Sequence, residues 1–283
     1  MIKISTPVIP ERLPFSVGLR ERTMVLGSCF ADSMGLRMRD AGFDVCVNPF
    51  GTLYNPASIC NSAERLDSGL PFSGEDCVQM GAGSPLVCSW SHHTSFARPD
   101  RESFLENANA SLSEASAFWK SCGKVIVTLG TAMVWRLVSD GRVVSNCLKR
   151  PAGEFTHEML GVQETAGLLR SLPEKYPEKQ FLFTVSPIRH LGEGAHVNTL
   201  SKATLQLALS ACCPPGCYFP AYEIMNDELR DYRFYAEDLV HPSRLAEDII
   251  WQRFLDSVAE PSERQCIAAN EKAARASRHR EIH

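Results

Sequence analysis

Four short apolar runs, each ending directly in a turn of small polar residues, restrict what this chain can fold into more than any other feature. "TMVLG" (23–27) runs into "GSCF", "FDVCVN" (43–48) into "NPFG", "KVIVTLG" (124–130) into "GTA" and "QFLFTVSP" (180–187) into "SPIRH". The runs lack the polar alternation of a half-exposed strand, as strands of a parallel sheet covered on both faces do. A fifth run, "CYFPAYE" (217–223), has the same character. Helix-like segments lie between and after them, at 30–41, 102–120, 156–171, 198–211 and 242–259, with Pro242 in the first turn of the last. This alternation predicts a doubly wound α/β domain, three layers deep, with a mainly parallel sheet. Ligands of such folds sit beyond the carboxyl ends of the strands, so the four polar turns are expected to converge on one edge.

The chain has 283 residues, 44% hydrophobic and 22% charged, with a formal net charge of -4. That balance gives no electrostatic case for nucleic acid or an anionic membrane as a partner. No apolar run approaches the ~20 residues of a spanning helix. "MIKISTPVIPERLPF" has no continuous apolar stretch and is broken by three prolines, so a cytoplasmic location is the default expectation. The eleven cysteines are an odd number without an export signal and read as free thiols, most of them buried. The cluster "CCPPGC" (Cys212, Cys213, Cys217) lacks the paired CxxC spacing of a zinc site, so neither metal nor cofactor is expected.

One domain is expected over 1–260. Residues 71–98, with Gly, Ser and Pro throughout, read as an insertion or long loop carrying "WSHHTSF". "VWRLVSDGRVVSN" predicts a hairpin turned at Asp140-Gly141. Residues 261–283 are charged and poor in large apolar side chains, as a solvated helix or frayed tail would be.

"EDLVHPS" places Asp238 and His241 three apart, close enough in a tight turn for the carboxylate to meet the imidazole. A carboxylate on Nδ1 fixes the tautomer and leaves Nε2 to take a proton from a hydroxyl. On these residues alone a helix-capping His241 beside an ordinary loop acid has the better claim, since Asp-x-x-His arises often by chance. Ser28 changes the balance. A serine between strand and helix lies near the positive end of the helix dipole, where amides can stabilise an oxyanion, although it is also a common helix cap. Cys29 beside it is a candidate reactive thiol at a helix N-terminus and equally a small core residue.

The order of Ser28, Asp238 and His241 resembles the SGNH hydrolases, and more closely the GSCFA family, spelled out by Gly27-Ser28-Cys29-Phe30-Ala31. The likeness continues through "NPFGTLYNPAS" (48–58), "WSHHTSF" (90–96), "TLGTAMVW" (128–135), "TVSPIRH" with "NTLSKATL" (184–205) and "FPAYEIMNDELRDYRFYAEDLVHPS" (219–243). The resemblance implies an α/β/α fold with Ser28 as nucleophile, His241 as general base and Asp238 as its orienter. It also implies an oxyanion hole from the backbone of Ser28 and Gly51. SGNH enzymes add an asparagine amide from a Gly-x-Asn block, where this chain has Gly130-Thr131-Ala132. Thr131, through hydroxyl or N–H, is the expected replacement, with Asn48, Asn55 and Asn198 as substitutes. Ser91 and Leu148 stand where relatives often carry an acid and a histidine, which leaves the triad untouched.

Among the other polar residues, His92 and His93 are adjacent, so only one of them can reach a shared pocket on an extended segment. Arg189 and His190 follow a strand on the loop-bearing edge. Arg189 suits either a bidentate clamp on an anionic group or an ion pair with the acids of 223–238. His157 and His196 read as ordinary polar residues. The expected activity is hydrolysis of short acyl esters of a carbohydrate or other polar alcohol through an acyl-enzyme on Ser28. An acyltransferase using the same serine, or a binding protein that keeps the fold without turnover, are the alternatives. Loss of one oxyanion donor would remove on the order of 3 kcal/mol of transition-state stabilisation.

Overall fold

The apolar runs form the strands of one parallel sheet. The computed structural model describes residues 5–281. The first half contains β1 (Thr23–Gly27), α1 (Cys29–Asp40), β2 (Val45–Val47), α2 (Pro56–Ser68), β3 (Val78–Gln79), β4 (Val87–Cys88), α3 (Arg101–Ser121) and β5 (Lys124–Leu129). The second half contains β6 (Met133–Leu137), β7 (Val143–Val144), β8 (Phe155–Met159), α4 (Val162–Lys175), β9 (Gln180–Val185), α5 (Ala195–Cys212), α6 (Ala221–Glu223), α7 (Arg244–Val258) and α8 (Arg264–Glu281).

The central sheet has the order β2-β1-β5-β9, every pair parallel. Alternate residues of each strand feed two separate cores. Met24, Leu26, Val125, Val127, Phe181 and Phe183 face the core shared with α2 to α5. Val25, Ile126 and Leu182 face the core shared with α1 and α7. The result is an α/β/α sandwich. Winding goes from β1 out to β2 and then back across to β5, so β1 and β5 flank the switch point where such sheets hold their ligands.

Helix starts follow local chemistry. Asn55 caps α2 by accepting from Ser58 N at 2.8 Å, with Pro56 at the first position, and Gly69 at φ 62° ends it. Ser243 caps α7, so Pro242 stands just before that helix rather than in its first turn. Residues 156–171 are not a single helix. Phe155–Met159 is β8, paired antiparallel with β6, and α4 starts only at Val162. Phe155 is buried while Thr156 and Glu158 are exposed, a two-residue period that outweighs the helical reading. Of 217–223, only Tyr218 bridges the sheet, beside Phe183, and the chain bends at Pro220 into α6. The β6–β7 hairpin turns through Val138–Arg142, longer than a two-residue loop, with Gly141 at φ 73°.

Residues 71–98 are integrated into the fold. Phe72, Met80, Val87 and Cys88 are buried in the first core, and Ser145 N donates to Trp90 O at 2.8 Å. The C-terminal helix α8 is docked, not frayed. It buries Ile267, and Trp251 Nε1 donates to Glu271 Oε1 at 2.6 Å. No helix among the described residues is long and apolar enough to cross a membrane.

Gly27 is the tightest point between strands. Its φ is 141°, and a Cβ there would stand 2.1 Å from the Thr128 carbonyl oxygen of β5. Gly27→Ala is therefore expected to cost at least about 3 kcal/mol in urea unfolding, since neither backbone nor neighbour can yield cheaply.

Candidate active site

The turn after β1 is fixed from three sides. Gly27 N donates to Asn48 Oδ1 at 2.8 Å, Ser28 N to Thr128 O at 3.1 Å, and Leu53 N to Gly27 O at 2.8 Å. Ser28 is the residue before α1, yet its side chain makes no cap bond. Its Oγ is fully buried and has no hydrogen-bond partner. Among the described residues the other partnerless buried hydroxyls, such as Thr23, Ser58, Thr165 and Thr184, lie within strands or helices, and that of Ser28 alone lies in a turn at the sheet's carboxyl edge. A buried hydroxyl left unsatisfied costs about 1–3 kcal/mol, so its retention calls for an explanation other than stability.

Asp238 and His241 meet as the spacing suggested. His241 Nδ1 and Asp238 Oδ2 are 2.6 Å apart, while Asp238 Oδ1 accepts the backbone N–H groups of Val240 and His241 at 2.9 and 3.0 Å. Those two amides, and then the imidazole, hold the Asp238 carboxyl down to about 2. The turn is tied off by Ala236 N to His241 O at 2.8 Å and carries Leu239 at φ 56°, a strained value for a branched side chain. His241 is a half-exposed side chain with Nε2 turned to no protein partner, and it makes no hydrogen bond with Ser28.

Arg189 lines the cleft and makes no ion pair with an acid of 223–238 among the described residues. Its N–H donates to Val240 O at 3.2 Å and its guanidinium to Leu239 O at 3.1 Å, over the ring of Tyr235. It braces the Asp238–His241 turn through the main chain.

The expected oxyanion donors are spent on the fold. The Ser28 amide bonds Thr128, Gly51 N donates to Asn48 O at 2.8 Å, and Thr131 N donates to Tyr54 O at 3.0 Å. The Thr131 hydroxyl lies 2.8 Å from Ser201 Oγ and accepts from Met133 N. Asn48 is equally committed, with Oδ1 on Gly27 N and Nδ2 on Asp32 Oδ1 at 2.6 Å. The first-turn amides of α1, at Cys29 and Phe30, stay orphaned as at any helix start.

His92 is a core residue instead of a pocket residue. Phe50, Phe72, Phe96 and Phe104 surround it at 4.5–5.4 Å between ring centres, Ser89 Oγ holds its Nδ1 at 2.6 Å, and burial pushes it down to about 3. His93 caps the short turn 94–96 through Ser95 and packs against Gly51, where a Cβ would lie 2.4 Å from its own.

A cleft of about 540 Å³ opens along the carboxyl edge beside Val240, lined by Tyr54, Asn55, Trp135, His157, His190 and Asn198 among others. Asn198 Oδ1 accepts from His190 N at 2.9 Å, and Asn55 Oδ1 from Ser58 N, leaving both Nδ2 groups without a partner among the described residues. His190 packs edge-on against Tyr54 and is pushed down to about 4 by burial, then by Lys202 and His241. A larger cleft of about 650 Å³ between α1, α7 and α8 is lined by ion pairs such as Arg37 with Asp248, and holds none of the candidate groups.

Three features in and behind the cleft were not read from the sequence. Trp135 and His157, directly opposite on β6 and β8, stack at 3.7 Å and 3°, and Glu193 Oε1 holds His157 Nδ1 at 3.0 Å. Lys202 of α5 is fully buried, with Nζ on Gly130 O at 2.6 Å and Ser186 O at 2.7 Å. Burial lowers it to about 7, and the two carbonyls accept two of its hydrogens. Tyr54 joins the Ser28 turn to His190, its hydroxyl 3.5 Å from Cys29 Sγ and 3.2 Å from Thr52 Oγ1. No group of three or more His, Cys, Asp or Glu among the described residues is placed to hold a metal.

With this geometry in hand, comparison with known proteins is specific but narrow. The GSCFA family profile matches residues 22–254. No curated protein and no solved structure matches the chain significantly.

Among the described residues burial depresses three histidines, His93 against the opposing charge of Asp32, and the two largest shifts, at His92 and His190, dominate the acid response. Below pH 6.5 the unfolded chain binds protons that folded His92 and His190 refuse until about 3 and 4, so stability falls as pH drops. Urea unfolding between pH 6.5 and 4.5 should lose up to about 1.4 kcal/mol per pH unit for each of them. His190→Gln should roughly halve that slope.

Proposed function

The chain belongs to the GSCFA family, and we propose that it is a serine esterase of the SGNH type working through an acyl-enzyme on Ser28. The observation that carries this reading is a carboxylate-oriented imidazole and a buried hydroxyl released from capping duty on the same carboxyl edge of the sheet. In the first step the Ser28 proton passes to His241 Nε2 as Oγ bonds the ester carbonyl carbon. The imidazolium is stabilised by Asp238 and returns the proton to the departing alcohol. Water then repeats the sequence, releasing the acid and freeing Ser28. Turnover requires the 236–241 turn and Ser28 to come within hydrogen-bond reach, a contact that often tightens only with substrate bound.

The cleft supports an acylated carbohydrate or similar polar alcohol as substrate. The Trp135–His157 pair offers an apolar ring face, and the amides of Asn55 and Asn198 offer neutral donors for hydroxyls. If an alcohol replaces water in the second step, the same residues perform acyl transfer. That Ser28 and His241 are not bonded to each other favours one further reading, a binding protein without turnover.

Fluorophosphonate labelling separates these readings. The expected result is one adduct on Ser28 in wild type, absent in Ser28→Ala and retained in Cys29→Ala. Ser28→Ala should also reduce hydrolysis of short acetyl esters by at least about a thousandfold. A folded wild type that takes no label would leave the binding protein as the better account, and product analysis with an added alcohol would separate esterase from transferase.

A further inference from the structure

We propose that the Tyr54 hydroxyl is the third oxyanion donor, standing in for the amide of the missing Gly-x-Asn block; this rests on the serine esterase reading above. The first-choice donors are engaged, at Ser28 N, Gly51 N, Thr131 N and the Thr131 hydroxyl, and of the substitute amides Asn48 is bonded to Asp32 while those of Asn55 and Asn198 face the cleft unpaired among the described residues. An oxyanion held over the first turn of α1 meets the orphaned amides of that turn on one side and needs a donor on the cleft side.

Tyr54 fills that position. It lines the cleft, and its hydroxyl lies 3.5 Å from the sulfur of Cys29, the residue next to the nucleophile. Thr52 Oγ1 donates to the phenolic oxygen at 3.2 Å, so the phenol accepts there and keeps its single proton to give. A thiol is a weak partner for that proton, and a carbonyl oxygen taking on negative charge is a far stronger one.

The segment that departs from the superfamily pattern also holds Tyr54 in place. Gly130 N and Thr131 N both donate to the Tyr54 carbonyl, at 2.8 and 3.0 Å. A Cβ at Gly130 would stand 3.2 Å from Tyr54 Cδ1 and 3.1 Å from His190 Nε2, so the glycine leaves room for both rings against the turn. His190 braces the ring edge-on at 5.4 Å between centres. The Gly-Thr amides thus anchor a tyrosine in the second loop rather than the third loop supplying its own side-chain amide. Burial pushes the phenol up to about 12, which keeps it a donor across the working pH range.

The test uses the full chain, with wild type, Tyr54→Phe and a form carrying 3,5-difluorotyrosine at position 54. Tyr54→Phe keeps the ring and its packing, and is checked for folding by urea unfolding. The expected result is a fall in kcat of about 10²–10³ on a short acetyl ester, with KM within a fewfold of wild type. Affinity for a trifluoromethyl ketone that forms a hemiketal on Ser28 should fall by a similar factor. The groups facing the phenol are Cys29, Thr52, Asp32 and His190. The difluoro form changes none of them, yet should lose kcat at a lower alkaline pH than wild type, because the more acidic phenol surrenders its proton earlier. A merely structural tyrosine would not move that limb. Fluorophosphonate labelling of Ser28 in wild type, with kcat of Tyr54→Phe within threefold of wild type, would overturn the Tyr54 assignment alone. A wild type that neither labels nor hydrolyses would overturn the esterase reading and this assignment with it.

Discussion

The approach of Gly27 to the Thr128 carbonyl is the constraint from which the rest of the site follows. Two parallel strands lie so close at their carboxyl ends that a methyl group would collide with backbone. The chain must therefore leave β1 at a φ only glycine adopts readily, and Ser28 is delivered into the crevice between β1 and β5. Asn48, itself at φ 43°, closes the same turn from β2 by accepting from Gly27 and donating to Asp32. The position of Ser28 is thus set by backbone bonds that involve neither its own side chain nor any group of the Asp238–His241 turn.

Rigidity is shared unevenly between the two halves of the candidate site. Ser28 is locked, buried and without a side-chain partner. The imidazole sits on an exposed turn whose internal bonds orient Asp238 and His241 toward each other, braced by the Arg189 main chain and guanidinium. Orientation within the dyad is preorganised, and the distance to be closed lies between the dyad and the serine. In the proposed esterase, assembly would be reserved for the moment when a ligand fills the cleft and displaces solvent from it.

Much of this was legible in the sequence, for identifiable reasons. The central strands are covered on both faces, so their unbroken apolar runs and the polar residues ending them stood out at Gly27, Asn48, Gly130 and Ser186. Asp238 and His241 were legible because their contact is local. What was hidden depended on pairing across the chain. β8 was mistaken for helix because Phe155, His157 and Met159 show their alternation only against β6. His92 reads as a polar pocket residue until Phe50, Phe72 and Phe104, contributed by three other segments, close around it. Gly51, Thr131 and Asn48 were assigned as donors by motif position, and nothing in a motif tells whether an amide is already spent. α8 looked like a solvated tail because its contacts with α1 and α7 rest on a few residues, Ile267, Asn270 and Glu271, scattered among charges.

Lys202 has a consequence for anyone who would reshape the cleft. Its amine clasps one carbonyl after β5 and one after β9, with no carboxylate bonded to it and apolar core around it. The two loops that form opposite walls are therefore one exchangeable part instead of two. A graft that replaced either loop alone and withdrew its carbonyl would leave the buried amine with one of its two acceptors. Recombination between relatives is expected to respect this unit, carrying the loop after β5, the loop after β9 and position 202 together.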